Sequence, residues 1–211
     1  MKLFNPFIRL TNKRKGCPLS NTEDEQQKED WQRLLVSGDH CAFAEFVDKY
    51  QKMVFLCCHT LGLNANESED VANETFLAVY KKIGSFAGIS KLDTWLWRIA
   101  YHKAIDYLRS KGRSGELLGD FDVQSEAGKN DIADGLECRE QSDLVWQTVE
   151  RLPKLWALSI VLFYREDKSV EEIAKIMKTN KNTVKTYLFR GRERLKKLLE
   201  GSFGENTDAY K

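Results

Sequence analysis

Apolar positions between residues 29 and 113 recur at the three- and four-residue spacing of helices, not at the alternate spacing of strands. Ala72, Phe76, Val79 and Ile83 line one side of one run; Leu96, Ile99, Ala100, Ala104, Tyr107 and Leu108 line one side of another. Breaks at "SGDH", "LGLNANES" and "GSFAGISKLD" divide this part into four predicted helices. The periodicity then lapses in "SGELLGDFDVQSEAGKNDIADGLE", rich in Gly, Asp, Glu and Ser, and resumes near Cys138 as far as Glu200. Breaks in that second part come at "RLPK", "REDKS" and "KTNK", and Pro153 sits where it can open a helix. The expected fold is all-α. Two small helical domains, 29–113 and 141–200, are joined by a flexible acidic linker over 114–140, and the C-terminal domain is a helix-turn-helix. A loose basic extension is expected over 1–28 and a loose tail over 201–211.

The helix-turn-helix rests on "SVEEIAKIMKTNKNTVKTYLFRGRERLKKLL". Ser169 and Glu172 make a capping-box pair, and Val170, Ile173, Ala174 and Met177 form one stripe after it. Asn180 suits the cap of the next helix, which Val184, Leu188, Leu195 and Leu199 would bury while Gly191 allows close approach. Lys181, Asn182, Lys185, Thr186 and Arg190 then face outward. Short polar and cationic side chains on the first turns of such a helix reach base edges and phosphates in a major groove. Arg192, Arg194, Lys196 and Lys197 extend the positive field. A solvated helical hairpin would share the charge; the short turn, the cap and the outward face together favour DNA binding.

Two faces stand out in the N-terminal part. Asp70, Asn73, Glu74 and Leu77 recur on one side of their helix, an acidic stripe with one apolar residue. It suits docking on a basic partner helix; an ordinary solvated face is the alternative. "DTWLWRIAYHKAIDYLRSKGR" sets basic residues beside aromatic ones, the combination that holds single-stranded DNA. Arg98, Lys103 and Arg109 would meet phosphates. Tyr101 and His102, with Phe86 from the glycine-bounded loop, would line a pocket for an unstacked base. Trp95 is assigned to the core, and Trp97 stands between core and contact. The alternative is a core helix with a wet face.

Charge changes this picture only when taken by segment. The net charge is +1, because the acidic linker offsets the cationic stretches. The 5 cysteines, Cys17, Cys41, Cys57, Cys58 and Cys138, are odd in number and form no CxxC pair, which fits reduced thiols rather than a disulfide frame or a zinc site. Cys57 and Cys58 lie in an apolar run and are expected to be buried. Cys17 follows Gly16 but has no apolar segment before it, and no run is long enough for a signal peptide or a span, so a cytoplasmic location without membrane insertion is expected. The 3 histidines, His40, His59 and His102, are isolated, and no triad, metal cluster or phosphate-binding glycine loop is legible. No enzyme activity, metal or cofactor is expected. A nuclease would need clustered carboxylates; Glu67, Glu69, Asp70 and Glu74 are close in sequence but read as one solvated stripe.

"GDHCAFAEFVDKYQKMVF", "ESEDVANETFLAVYKK", "DTWLWRIAYHKAIDYLRSKGR", "RLP" and "SVEEIAKIM…NTVKTYLFRGRERL" resemble, in order and spacing, the extracytoplasmic-function (ECF) sigma factors of bacterial RNA polymerase. The resemblance covers about 34–113 and 144–199. It implies that Asp70, Asn73, Glu74 and Leu77 dock on the beta-prime clamp helices of core polymerase. It implies that Phe86, Arg98, Tyr101, His102, Lys103 and Arg109 open and read the −10 element of promoter DNA. Lys181, Asn182, Thr183, Lys185, Thr186 and Arg190 would read the −35 element on a domain that also touches the beta flap. An anti-sigma factor is the further partner implied. Departures from the family pattern are Asn73 for a frequent Gln, Lys178 for the Gly ending the first helix of the motif, and Thr179 for Ile or Val. Thr186-Tyr187 stands for a common Ser-Arg, and the Met1–Glu29 extension is longer than usual. The rival reading is an autonomous helix-turn-helix regulator with a sensing N-terminal domain.

Overall fold

A computed structural model describes residues 40–86, 90–117 and 145–204. The first of the four expected N-terminal helices, the linker from 118, the extension over 1–28 and the end of the tail lie outside the described residues. Those described contain helices and turns and no strand. The chain divides into two units, Met1–His59 with Leu63–Ala104, and Thr60–Gly62 with Ile105–Lys211.

The first unit is built on α1 (His40–Thr60), α2 (Ala65–Lys82) and the greater part of α3 (Leu92–Ser110). Helix α2 starts on a reciprocal capping box. The Asn64 side chain accepts from the Glu67 backbone N–H at 3.0 Å, and the Asn64 N–H donates to Glu67 Oε2 at 2.9 Å. Two of the donors that a helix start leaves unpaired are thereby satisfied. One face of α2 then buries Val71, Ala72, Thr75, Phe76 and Val79. Phe46 of α1 meets Phe76 edge-on, with ring centroids 6.4 Å apart, and Tyr80 meets Phe43 edge-on at 5.2 Å. Cys57 and Cys58 are fully buried, as expected, whereas Cys41 is exposed. Burial pushes both buried thiols up, Cys58 to about 12.

Helix α3 settles Trp97, which stood between core and contact, in the core, and leaves Trp95, assigned to the core, at its edge. Trp97 is 0% exposed, flanked in sequence by the buried Leu96 and one turn from the buried Ala100 and Tyr101, and its indole N–H has no acceptor. Trp95 is half-buried and leans on Phe86 at 5.2 Å. Ile99 and Tyr107, expected in the stripe, are half-buried at its edges. The buried arc of α3 is therefore turned relative to the expected one, towards Trp97, Tyr101 and Ile105.

In the second unit a helical run over 145–150 precedes Pro153, whose carbonyl accepts from the N–H groups of Trp156 and Ala157 at 2.9 Å and opens α4 (Lys154–Ile160). The next turn, Val161–Arg165, widens to a π-helix: the Glu166 N–H reaches back five residues to the Val161 carbonyl at 3.1 Å. Helix α5 (Val170–Ile176) and helix α6 (Lys181–Gly204) follow. Ile173, Ile176, Val184 and Leu188 are buried with Leu158 and Leu162. Gly191 is the close approach between α4 and α6. A β-carbon there would lie 3.2 Å from Ile160 Cγ1, inside ordinary contact distance.

Candidate nucleic-acid interface

The helix-turn-helix has the expected construction. Ser169 Oγ accepts from the Glu172 N–H at 3.2 Å, and Glu172 Oε2 accepts from the Ser169 N–H at 2.9 Å. Lys178 ends the first helix in the left-handed region, φ 50°, where a side chain is strained and glycine is at ease. The Thr179 N–H returns to the Ala174 carbonyl at 3.0 Å, closing the turn. Asn180 Oδ1 accepts from both the N–H and the hydroxyl of Thr183, at 2.7 and 3.0 Å, and starts α6.

On α6, Asn182, Lys185, Thr186 and Arg190 are exposed opposite the buried Val184, Leu188 and Gly191. Lys181 is exposed but engaged: its ammonium donates to Glu171 Oε1 of α5 at 2.7 Å, and that bond holds the Glu171 carboxyl below the usual carboxylate range. The Thr183 hydroxyl donates to the Asn180 cap and the Thr186 hydroxyl to the Asn182 carbonyl at 2.9 Å, so the proton of each is already engaged. The sequence reading missed Phe189. It is 60% exposed, one turn from Lys185 and Thr186 and next to Arg190, in the middle of the outward face. Its signal was available: an aromatic residue off the Val184–Leu188–Leu195 stripe has no core to fill.

The acidic stripe of α2 is one-sided. Asp70, Asn73 and Glu74 are exposed and Leu77 is 47% exposed. Tyr80, also exposed, continues the apolar end of the stripe, and the sequence reading missed it. Glu67 stands apart, because its carboxylate is taken by the capping box. Among the described residues, no three His, Cys, Asp or Glu side chains gather where they could hold a metal.

The cation–aromatic face of α3 comprises Trp95, Arg98, His102, Asp106 and Arg109, at three- and four-residue intervals on the side away from Trp97. Phe86, half-buried against Trp95, sits at its head. Arg109 leans on Asp106 at 3.6 Å. Tyr101 is not on this face: it is 8% exposed, and its ring packs edge-on at 5.3 Å against that of His102. The turned arc of α3 draws Tyr101 inward and brings Trp95 out in its place. Lys103 lies on the flank nearest α2 and donates to Glu74 Oε2 at 3.1 Å.

An apolar groove of about 630 Å³, not foreseen from sequence, runs over the second unit between Val145, Trp146, Val149, Ile160 and Leu195. Arg192 stands at its edge over the rings of Phe163 and Tyr164, 5.5 and 5.4 Å from their centroids. The π-helical turn sets these two adjacent rings against one guanidinium. Among the described residues no helix is long and apolar enough to cross a membrane.

Residues 46–114 match the family model of Sigma-70 region 2, and residues 142–195 match that of Sigma-70, region 4. The chain is 36% identical over 177 residues to the ECF RNA polymerase sigma factor SigW of Bacillus subtilis (strain 168), across 79% of this chain and 94% of that protein. It is 34% identical over 194 residues to the RNA polymerase sigma-H factor of Pseudomonas aeruginosa, across 86% of this chain and 96% of that one. Among solved structures, that of the sigma factor RpoE in complex with the anti-sigma factor NepR from Bartonella quintana shares the fold. Its TM-score is 0.57 at 22% identity, over 75% of this chain and 96% of that chain. The two Sigma-70 segments fall, in order, on the helices that carry the acidic and cation–aromatic faces and on the helix-turn-helix. With relatives matched over nearly their whole length, the chain belongs to the ECF RNA polymerase sigma factor family.

Proposed function

We propose that this chain lends core RNA polymerase its promoter specificity through three surfaces, while the polymerase itself supplies the catalysis. The acidic stripe Asp70, Asn73, Glu74 and Leu77, extended by Tyr80, docks on the beta-prime clamp helices; its charge steers the encounter and its apolar end is buried on contact. The face formed by Phe86, Trp95, Arg98, His102, Lys103 and Arg109 holds the opened −10 strand, cations on phosphates and rings on unstacked bases. Tyr101 acts there from behind, by bracing His102. On α6, Lys181, Asn182, Thr183, Lys185, Thr186 and Arg190 read the −35 duplex, and Phe189 with the methyl of Thr186 suits the C5-methyl of a thymine. The apolar groove of the second unit suits the beta flap. An anti-sigma factor is a further partner, and the place of action is the cytoplasm, where polymerase and promoter meet.

The observation that carries this reading is the order of the three presented faces along the two Sigma-70 segments. It is tested by transcription from a promoter library with core polymerase alone and with core plus this protein. Transcripts that start at defined sites only when the protein is present support it. Duplex binding without polymerase, and no new transcripts with it, would instead favour the autonomous regulator.

A further inference from the structure

Two surfaces of the first unit meet at one ion pair. Lys103 Nζ donates to Glu74 Oε2 at 3.1 Å, across 29 residues of sequence. Glu74 belongs to the acidic stripe of α2 with Asp70, Asn73 and Leu77, and Lys103 stands on the flank of the cation–aromatic face of α3. The two side chains are 61% and 36% exposed, so a partner arriving on either surface can reach its own end of the pair. Arg109 makes a useful contrast, since its carboxylate, Asp106, lies on the same face of the same helix. Lys103 takes its counter-charge from the other surface.

We propose that the Glu74–Lys103 pair couples the two surfaces, so that a basic partner at the acidic stripe releases Lys103 to a DNA phosphate. The inference rests on the reading that these surfaces dock core polymerase and single-stranded promoter DNA. A carboxylate shared with a second cation attracts the first less. In the isolated chain a phosphate must compete with Glu74 for the Lys103 ammonium; with the partner docked, the competition weakens. Linkage makes the effect reciprocal, so strand binding at Lys103 tightens the hold on core by the same factor. Exposed pairs of this kind set the scale at about one-and-a-half- to fivefold, largest at low salt.

The test is a double-mutant cycle on the affinity of the isolated full-length protein for a fluorescent −10 non-template oligonucleotide at low salt. Wild type, Glu74→Gln, Lys103→Met and the double variant are compared, with thermal melting to confirm that all four fold. Glu74→Gln is expected to tighten strand binding by that factor, Lys103→Met to weaken it, and the gain from Glu74→Gln to vanish in the Lys103→Met background. In a parallel measurement Lys103→Met, which leaves Glu74 unpaired, is expected to tighten core binding. An equal gain from Glu74→Gln in both backgrounds would mean a general charge effect and would overturn the coupling. No gain from Glu74→Gln, with a loss in Lys103→Met, would also overturn it while leaving the strand surface assigned. If Lys103→Met, Arg98→Ala and Arg109→Ala all bind the strand like wild type, the strand surface itself is misassigned and the coupling falls with it.

Discussion

Trp95 and Trp97 stand two residues apart, the first half-buried against Phe86 and the second fully buried. Helical spacing alone cannot decide which of two such residues turns inward, because they differ by more than half a turn and both are large and amphipathic. The decision falls to what α1 and α2 leave open, and that is a long-range fact. The same indeterminacy moved Tyr101 inward. Thr75 carries a related cost: its hydroxyl is fully buried without a hydrogen-bond partner. Thr75→Val removes that group at nearly constant shape and is expected to stabilise the fold by about 1 kcal/mol, read from denaturant or thermal unfolding. Phe189 poses the reverse case, an apolar ring held in water. Contact with a thymine methyl would recover about 0.8 kcal/mol, so replacing −35 thymines one at a time by uracil is expected to weaken holoenzyme binding about fourfold at the contacted position. Phe189→Ala is expected to abolish that preference, measured by competition between the two duplexes.

Among the elements, the helix-turn-helix was the most legible because its signals are local: a capping box, an N-cap and a stripe, each complete within a few residues. The capping box of α2 was equally local in the spacing of Asn64 and Glu67, yet it was read as part of a break. The π-helical turn at Val161–Arg165 had no sequence signature, since one widened turn leaves composition and periodicity almost unchanged. Lys178 is the weak point of the motif. Lys178→Gly relieves the left-handed strain, and after allowing for the greater freedom of glycine in the unfolded chain it is expected to raise stability by about 0.5–1 kcal/mol. On α2 the one-sidedness of the acidic stripe allows a sharper test. Asp70→Lys with Glu74→Lys is expected to reduce affinity for core polymerase at least tenfold while circular dichroism stays native, since like charges facing each other across an interface cost several kcal/mol. Native helicity with unchanged affinity would remove this surface from the docking account.

At the scale of the whole molecule, a net charge of +1 hides an internal division of labour. Cations are exposed along α3 and α6, and Glu74 and Glu171 each hold a lysine of those surfaces through an ion pair with another helix. The lapse of periodicity after residue 113 was visible in the sequence, and it falls between the two Sigma-70 matches, 46–114 and 142–195. The cross-helix ion pairs were not visible there, because nothing in a linear pattern joins Glu74 to Lys103, 29 residues on, or Glu171 to Lys181 on the next helix. The buried thiols of α1 add a consequence in time. Cys57 and Cys58 sit in the middle of the first unit's core with their thiols held protonated, whereas Cys41 on the same helix faces water. An alkylating reagent can therefore reach the adjacent pair only while that core is transiently open, which makes them a clock for its breathing. Peptide mass spectrometry during iodoacetamide labelling is expected to show Cys41 modified first and Cys57 and Cys58 orders of magnitude later, each tenfold lag reporting about 1.4 kcal/mol of opening free energy or thiol protonation. Added core polymerase should slow the clock further if docking on α2 stiffens the unit behind it, whereas equal labelling rates at all three cysteines would mean that this core is never closed for long.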